Sequence, residues 1–248
     1  MKALVLADDR RGSGRGHIVR CHALGGALTD RGWDVNVAGI GKADMKDADL
    51  VVMDLLPDAR VAIERPQRSV QIVDDTSLVP RCDILVCGSA GASDGMFRVA
   101  SAGRVLAGPQ YCLLRPDFSR AREKPIPRSD VLDLRLVAGF SVNGMVELIA
   151  SASVAISYGG MRAMECACAG TPTVLIPRNA GEEFNAAGLL AAEACVVAAD
   201  YEATYMAQAL LESPTLLRKM GEQARELVDG RGVKRVAQAI AELVRVHN

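Results

Sequence analysis

Short β-branched runs alternate with longer helical patterns along most of the chain, and this alternation constrains the fold more than any other feature. It is typical of parallel sheets covered by helices on both faces. Aromatic residues make up only 4% of the 248 residues, so we expect a core built from Ala, Val, Leu and Ile, as in layered proteins. The pattern predicts an α/β fold and argues against an all-β architecture.

The first half of the chain is predicted to contain five strands and one helix. The helix covers residues 18–31 and is followed by Gly32, the residue type expected at a helix C-terminus. The second half continues the alternation. The predicted strands are residues 3–7, 34–38, 50–53, 69–73, 84–86, 134–137, 154–157 and 173–176, and the predicted helices of the second half are residues 142–151, 161–169 and 183–192.

A change in composition near the middle of the chain predicts two domains. Residues 116–129 are rich in proline and charge and lack apolar periodicity, which is typical of a linker. We therefore predict an N-terminal α/β domain at residues 1–118. A second α/β domain with a helical tail is predicted at residues 119–248. Two consecutive α/β domains imply a ligand-binding cleft between them.

Charge and apolar patterning argue against several classes of protein. The net charge is −1 and the basic residues are scattered, which does not favour nucleic acid or an anionic membrane as a partner. The apolar segment at residues 3–7 is too short for a signal peptide, and no stretch approaches the ~20 residues of a membrane helix, so we expect a cytoplasmic protein. The oligomeric state has no signal in the sequence.

Cysteine and histidine spacing gives no indication of a metal site. The seven cysteines include no C-x-x-C pair, and the histidines are limited to His17, His22 and His247. Reduced, buried thiols are the expected state. Neither a metal nor a cofactor is predicted.

A glycine-rich segment, DDRRGSGRGHIVRCHAL, connects the first predicted strand to the first helix. Gly12, Gly14 and Gly16 would allow backbone N–H groups to approach a phosphate or a sugar at a helix N-terminus, which favours negative charge. Their spacing does not match the dinucleotide-binding fingerprint. A flexible strand-to-helix turn therefore stays an alternative.

His17 follows the last of these glycines and is the best catalytic candidate in the sequence. Its position at the start of a helix places it over the carboxyl edge of the sheet, where open α/β sheets bind ligands. A helix N-terminus disfavours a protonated ring, so the imidazole is suited to act as a general base. The alternative is a histidine that only hydrogen-bonds the loop. For His22, inside the same helix, packing is favoured over chemistry.

The segment ISYGGMRAMECACAGTPTVLIP has a second glycine pair before a predicted helix. Gly159 and Gly160 would expose N–H groups suited to a diphosphate. Glu165, about one helical turn further on, could accept the hydroxyls of a ribose. Asn185, near the start of the next helix, could donate to a sugar or phosphate oxygen. A surface ion pair for Glu165 and a helix cap for Asn185 are the alternatives.

Taken together, these segments resemble the nucleotide-sugar hydrolases of pseudaminic acid biosynthesis and their spore-coat relatives. That family is similar in fold to the GT-B glycosyltransferase that makes lipid II. The matching stretches run through most of the chain in the same order and with the same spacing. They are LADDRRGSGRGHIVRCHAL, the strand VVMD ending at Asp54, IVDDTSLVPRCDILV, GPQYCLLRPDF and ISYGGMRAMECACAGTPTVLI.

The resemblance implies a GT-B-like fold with two Rossmann-type α/β domains facing a central cleft. It implies a nucleotide-activated sugar as the ligand and metal-independent removal of UDP from a 2,4-diacetamido-2,4,6-trideoxy sugar by attack of water. It places the active histidine on His17 and the nucleotide-binding helix on Gly159, Gly160 and Glu165. The other residues assigned within this picture are Asp8 as a second catalytic candidate, Asn185 for the nucleotide, and Gly14, Gly16, Arg20, Asp54, Tyr111 and Arg115 for the substrate.

Three features depart from the family pattern. Leu6 stands where the first strand usually carries arginine, and Asp54-Leu55-Leu56 replaces an Asp-His-Tyr triplet. The second domain is expected to be truncated, without its opening strand and its Gly-Gly-Ser-Asp loop.

The leading hypothesis from the sequence is a nucleotide-sugar hydrolase in which His17 accepts a proton from water and N–H groups at Gly159 and Gly160 stabilise the leaving phosphate. A glycosyltransferase that uses the same histidine to deprotonate an acceptor hydroxyl is the first alternative. Leu55 and Leu56 would give a drier site, which favours an acceptor other than water. A non-catalytic nucleotide-sugar-binding protein is the second alternative.

Overall fold

A computed structural model describes residues 1–10, 16–42, 44–59, 68–74, 76, 81–97, 102–122, 129–137 and 142–245. The chain divides into two compact units. Unit 1 consists of Met1–Gly88, Ala92–Arg115 and Arg231–Asn248, and unit 2 consists of Ser89–Gly91 and Pro116–Gly230.

Unit 1 contains a six-stranded parallel sheet in the order β2-β1-β3-β4-β5-β6. The strands are β1 (Lys2–Ala7), β2 (Asp34–Gly39), β3 (Leu50–Asp54), β4 (Arg68–Ile72), β5 (Cys82–Cys87) and β6 (Ala102–Ala107), and helix α1 (Gly16–Thr29) follows β1. Strands β1 and β3 are buried on both faces. Val5 and Val52 pack into one apolar cluster, whereas Leu6 and Met53 pack into another. Covered faces of this kind explain the continuous apolar runs.

Unit 2 contains a four-stranded parallel sheet in the order β10-β9-β8-β7. Its core gathers Val154, Ile156 and Val174 from the strands with Ala207 and Met220 from helices. The elements are α2 (Pro116–Ala121), β7 (Ser129–Asp133), α3 (Val142–Ser151), β8 (Ala152–Ser157), α4 (Met161–Ala169), β9 (Thr173–Leu175), α5 (Ala180–Ala191), β10 (Cys195–Val197), α6 (Ala203–Leu211) and α7 (Pro214–Leu227).

The last helix, α8 (Gly232–Arg245), packs on unit 1. Its residues Val233, Val236 and Ile240 join the same buried cluster as Trp33. Gly232 allows this contact, because a Cβ at that position would lie 2.1 Å from the carbonyl oxygen of Cys112. The predicted boundary at residues 118/119 falls close to Pro116, where unit 2 takes up the chain, while residues 231–248 belong to unit 1.

The predicted helices and most of the predicted strands correspond to observed elements, with three corrections. Residues 134–136 form a turn rather than a strand, because Arg135 folds back onto Asp133, and Leu136 is 81% exposed. The strand lies one segment earlier, at β7. Strands β6 and β10 have no counterpart among the predicted strands. The proposed linker begins with α2, which buries Phe118 completely.

Within the described residues, no helix combines the length and the apolar character needed to cross a membrane.

Candidate functional site

Three carboxylates lie at the carboxyl ends of neighbouring strands in unit 1. Ala7 pairs with Asp54 across β1 and β3, and Asp54 pairs with Ile72 across β3 and β4. Asp8 therefore follows β1, Asp54 ends β3, and Asp74 lies two residues beyond β4. The strand order changes direction at β1, since β2 lies on one side of β1 and β3 lies on the other. Such a switch point is where open α/β sheets bind ligands.

His17 lies in the first turn of α1 and is only 7% exposed. Its Nδ1 lies 2.6 Å from Oδ1 of Asp54, whose side chain is fully buried. An ionised carboxylate can only accept, so Nδ1–H is the donor and Nε2 carries the lone pair. The contact with Asp54 thus fixes both the ring orientation and the tautomer that a general base requires.

Arg20 lies one turn after His17 and links two of the carboxylates. Its Nη2 donates to Asp54 Oδ1 at 2.6 Å and to Asp74 Oδ2 at 2.9 Å, and Nε and Nη1 donate to the other oxygens of the same two groups. Burial alone would lower the pKa of Arg20, but the charges of Asp54 and Asp74 outweigh it and raise its pKa well above the ordinary value. The guanidinium is therefore a permanent cation that positions Asp54.

The four side chains of His17, Arg20, Asp54 and Asp74 form what we call the histidine cluster. Arg20 Nη2 also lies 3.1 Å from His17 Nδ1, but both atoms are donors in the tautomer selected by Asp54, so this is a close approach and not a hydrogen bond. The cluster thus contains two carboxyl groups beside one guanidinium, and a proton accepted by His17 would lie next to Asp54.

Asp8 is held by groups other than His17. Its oxygens accept from Arg10 Nε at 3.0 Å, from Arg10 Nη2 at 2.7 Å and from the backbone N–H of Leu56 at 3.1 Å. The hydrogen bond from Arg10 lowers the pKa of Asp8 to about 2, against the opposing effect of burial. Arg10 also pairs with Asp58 at 2.8 Å. The structure therefore places Asp8 in an ion-pair network outside the histidine cluster.

Cys21 and Leu55 contribute apolar surroundings. The Cys21 Sγ lies 3.7 Å from Asp54 Oδ2, and burial raises the pKa of this thiol. Leu55 is 3% exposed and packs with Leu4 and Leu6. Of the two leucines that replace the polar residues of the family pattern, Leu56 is the one that reaches the surface.

In unit 2, Gly159 and Gly160 form the turn between β8 and α4, as predicted. A Cβ at Gly159 would lie 2.4 Å from the backbone oxygen of Glu182, whereas a Cβ at Gly160 would meet nothing nearer than 3.7 Å. Gly160 is the N-cap residue of α4 and provides no side-chain cap. The N–H groups of this helix start are thus available to an anion from the side of Gly160.

Two predicted nucleotide ligands have partners within unit 2. Glu165 is 3% exposed, and its Oε2 accepts from Arg162 at 2.6 Å. Asn185 donates from Nδ2 to the carbonyl oxygen of Gly159 at 2.6 Å and accepts at Oδ1 from the N–H of Ala90 at 2.8 Å. Asn185 is not a helix cap, since Asn179 caps α5. It instead joins the glycine turn to Ala90, in the short segment 89–91 that belongs to unit 2.

Four further predicted residues do not join the histidine cluster by any described contact. Gly14, like Gly12, lies outside the described residues, and Gly16 is the first residue of α1. Tyr111 packs against the apolar core of unit 1. Arg115 is half-buried at the end of a segment of unit 1. Among the described residues, no group of three or more His, Cys, Asp or Glu side chains could hold a metal ion.

Two groups at these edges are not among the predicted site residues. Asp74 lies in the segment IVDDTSLVPRCDILV, and its place after a buried strand is the signal that indicates it. In unit 2, the Arg178 guanidinium stacks 3.5 Å from the ring centre of Tyr158 and donates from Nη2 to Glu182 Oε1 at 3.0 Å. The ion pair with Glu182 raises the pKa of Arg178. Tyr158 follows β8 and Arg178 follows β9, and these two strands are neighbours in the sheet.

Comparison with known proteins agrees with this architecture. Residues 128–243 match the sequence model of the glycosyltransferase family 28 C-terminal domain. Comparison with curated protein sequences gives no match.

Three solved structures illustrate the similarity of fold. The MurG of Acinetobacter baumannii is 11% identical, with a TM-score of 0.62 over 98% of this chain and 100% of that one. The S. aureus MnaA–UDP co-structure is 8% identical, with a TM-score of 0.66 over 98% and 97%. The spinosyn rhamnosyltransferase SpnG complexed with thymidine diphosphate is 13% identical, with a TM-score of 0.55 over 98% and 100%.

These findings confirm the predicted GT-B fold class. The prediction of an enzyme is confirmed at the level of the matched domain, which is that of a glycosyltransferase family. They give no specific support to the pseudaminic acid hydrolase, and they agree better with the glycosyltransferase alternative.

Proposed function

We propose that this protein is a glycosyltransferase that transfers a sugar from a nucleotide-activated donor to a hydroxyl group of an acceptor. The observation that carries the proposal is the match of residues 128–243 to a glycosyltransferase C-terminal domain. The histidine cluster in unit 1 adds a group able to accept the acceptor's proton.

We assign the nucleotide to unit 2. The start of α4 offers N–H groups and a positive dipole end, both of which favour a diphosphate. Gly160 leaves the approach open. Glu165 is the candidate for the ribose hydroxyls. Solved structures of the same fold have been determined with UDP and with thymidine diphosphate, so both diphosphates are the first ligands to examine.

We assign the base to His17 Nε2. In the proposed reaction, the acceptor oxygen forms a bond to the anomeric carbon, the bond from that carbon to the diphosphate breaks, and the acceptor's proton passes to Nε2. Asp54, 2.6 Å from Nδ1, stabilises the imidazolium that results. General base catalysis of this kind contributes about a hundred- to ten-thousand-fold in rate.

A donor panel with and without acceptors tests the proposal. UDP-linked and thymidine diphosphate-linked sugars would be incubated with the protein and with a mixture of sugar and alcohol acceptors, and both nucleotide release and products would be followed by mass spectrometry. Acceptor-dependent release with a new glycoside is the expected result. Release of free sugar in the absence of acceptor would instead establish a hydrolase. Tight nucleotide binding without turnover across the panel would establish a non-catalytic binder.

The assignment of the nucleotide to unit 2 gives a separate prediction. Glu165→Ala should weaken UDP binding by about ten-fold or more, since a hydrogen bond to a charged group contributes about 1.5–3 kcal/mol. Gly160→Val should weaken it further by covering the N–H groups of α4. Calorimetry with UDP measures both, and Glu222→Ala, at an exposed position of α7, is the control. Equal affinity in all variants would place the nucleotide elsewhere.

A further inference from the structure

A strongly basic pocket lies within unit 1, on the surface formed by the turn after α1, strand β6 and one side of α8. The cavity has a volume of about 470 Å³. Five of its nine lining residues are basic and only one is acidic. We call it the basic pocket, and its basic residues are Arg31, Arg104, Arg231, Lys234 and Arg235. It shares no residue with the histidine cluster.

The backbone positions these basic side chains. The guanidinium of Arg31 donates to the carbonyl oxygens of Ala27 at 3.0 Å and Lys234 at 3.4 Å. Arg235 donates to the carbonyl oxygen of Gln110 at 2.9 Å. A hydrogen bond to a neutral carbonyl fixes a guanidinium without cancelling its charge. These contacts therefore hold positive charge around the cavity.

The acidic residue of the lining is paired with one of the basic residues. Glu242 is the one carboxylate in its lining, and its Oε2 accepts from Arg104 at 2.9 Å. Within the residues that the structure describes, neither Arg31 nor Lys234 takes part in an ion pair. Like charges gathered in this way repel one another, and an anionic ligand would relieve that repulsion.

The chemistry of the lining indicates the class of ligand. Guanidinium forks match phosphoryl oxygens in geometry and charge. A cavity of a few hundred cubic ångströms suits a small molecule. The basic residues come from three separate parts of the fold, and a single phosphoryl group is too small to contact all of them. An extended nucleic acid would need a stripe of positive charge, whereas the chain as a whole carries a net charge of −1.

We propose that the basic pocket is a binding site for a compact polyanion with at least two phosphoryl groups, such as pyrophosphate or the diphosphate part of a larger molecule. The site is additional to the nucleotide site assigned to unit 2. Removing one basic side chain should weaken binding by about ten-fold, the size expected for a charge-assisted hydrogen bond. Removing the competing carboxylate should strengthen it.

Calorimetric titration of the full chain with sodium pyrophosphate tests the proposal. Arg31→Gln and Lys234→Gln should each weaken binding about ten-fold, and Glu242→Gln should strengthen it several-fold because Arg104 is released. Lys46→Gln and Arg218→Gln, at exposed positions outside the pocket, are the charge-matched controls and should leave binding unchanged. The gain in Glu242→Gln cannot arise from unfolding.

Four outcomes would overturn the proposal. One is the absence of pyrophosphate binding in the wild-type protein. Another is equal weakening in the pocket variants and in the two controls, which would show only a general effect of charge. The third is binding that is lost in Gly160→Val and kept in Lys234→Gln, which would place the pyrophosphate on unit 2.

A parallel titration with UDP distinguishes a free pyrophosphate site from one that prefers the diphosphate of a nucleotide. The fourth is a single-stranded oligonucleotide that binds more tightly than both pyrophosphate and UDP, which would show that the pocket binds nucleic acid.

Discussion

His17 is the residue on which every catalytic form of the proposed function depends. Its Nδ1 contact with Asp54 leaves Nε2 as the atom that accepts a proton. His17→Asn keeps a side chain of similar size but cannot carry the proton, so kcat/KM should fall at least about a hundred-fold while nucleotide affinity is kept. Steady-state kinetics and calorimetry measure the two effects.

His22→Asn is the matched control for this prediction. His22 lies in the same helix and is exposed, so that variant should keep full activity. A fully active His17→Asn protein would contradict the assignment of the base.

Asp8 gives a prediction about stability rather than catalysis. Its pKa is lowered from 3.8 to about 2, chiefly by the hydrogen bond from Arg10. A carboxyl group whose pKa is lower in the folded state stabilises the protein above its unfolded pKa, and that contribution is lost as the pH falls towards 2. Asp8→Asn should therefore be less stable than the wild type at pH 5, and the difference should shrink between pH 4 and pH 2.

Acid titration of the urea unfolding midpoint checks this dependence. Asp30→Asn, at an exposed position, provides the comparison. A difference between Asp8→Asn and wild type that stays constant from pH 5 to pH 2 would mean that the Arg10 contact does not act through the charge of Asp8.

At the level of residues, the sequence indicated His17, Arg20 and Asp54 but not how they interact. The strand ends could be located from the apolar runs, and parallel strands bring their carboxyl ends to one edge. The pairing of each carboxylate with a basic side chain depends on strand order and on side-chain direction. Asp74 was therefore missed. For Asn185, no sequence pattern shows that its amide contacts Gly159 and Ala90, and its role toward a nucleotide stays a prediction.

At the level of elements, the turn before α4 separates two glycines that look equivalent in the sequence. Gly159→Ala should destabilise unit 2 by about 1–3 kcal/mol, as overpacking does, because its Cβ would meet the backbone of Glu182 at 2.4 Å. Gly160→Ala should be tolerated, since its Cβ has only the end of the Glu182 side chain nearby, at 3.7 Å. Thermal unfolding of the two variants gives the comparison. Equal loss of stability would show that both positions need glycine for backbone reasons.

The helices were more predictable than the strands. Helix α4 coincides with the predicted residues 161–169, because Gly160 precedes it and Gly170, with φ of +73°, ends it in the left-handed conformation. Strand β6 includes Gly103 and an exposed Arg104, so it lacks the apolar run of a buried strand. Strand β7 has aspartates at two of its five positions. Its identity as a strand depends on pairing with β8, which is a tertiary contact.

For the molecule as a whole, the sequence predicted two α/β domains but not which one takes the last helix. The periodicity of α8 shows that it has an apolar face, and an apolar face does not specify the sheet that it covers. The structure places Val233, Val236 and Ile240 in the cluster of unit 1. The chain thus enters unit 2 at Pro116 and rejoins unit 1 at Arg231, and residues far apart in sequence share one core.

This path gives a prediction that uses the single tryptophan. Trp33 is 7% exposed and belongs to the same cluster as Ile240, so its fluorescence reports the unfolding of unit 1. Ile240→Ala removes a fully buried side chain and should lower the free energy of unfolding, followed by Trp33 fluorescence in urea, by about 2–5 kcal/mol. Arg245→Ala, at an exposed position of the same helix, should change it by less than about 0.5 kcal/mol. If Ile240→Ala left the fluorescence transition where it is in the wild type, α8 would not be part of the core that surrounds Trp33.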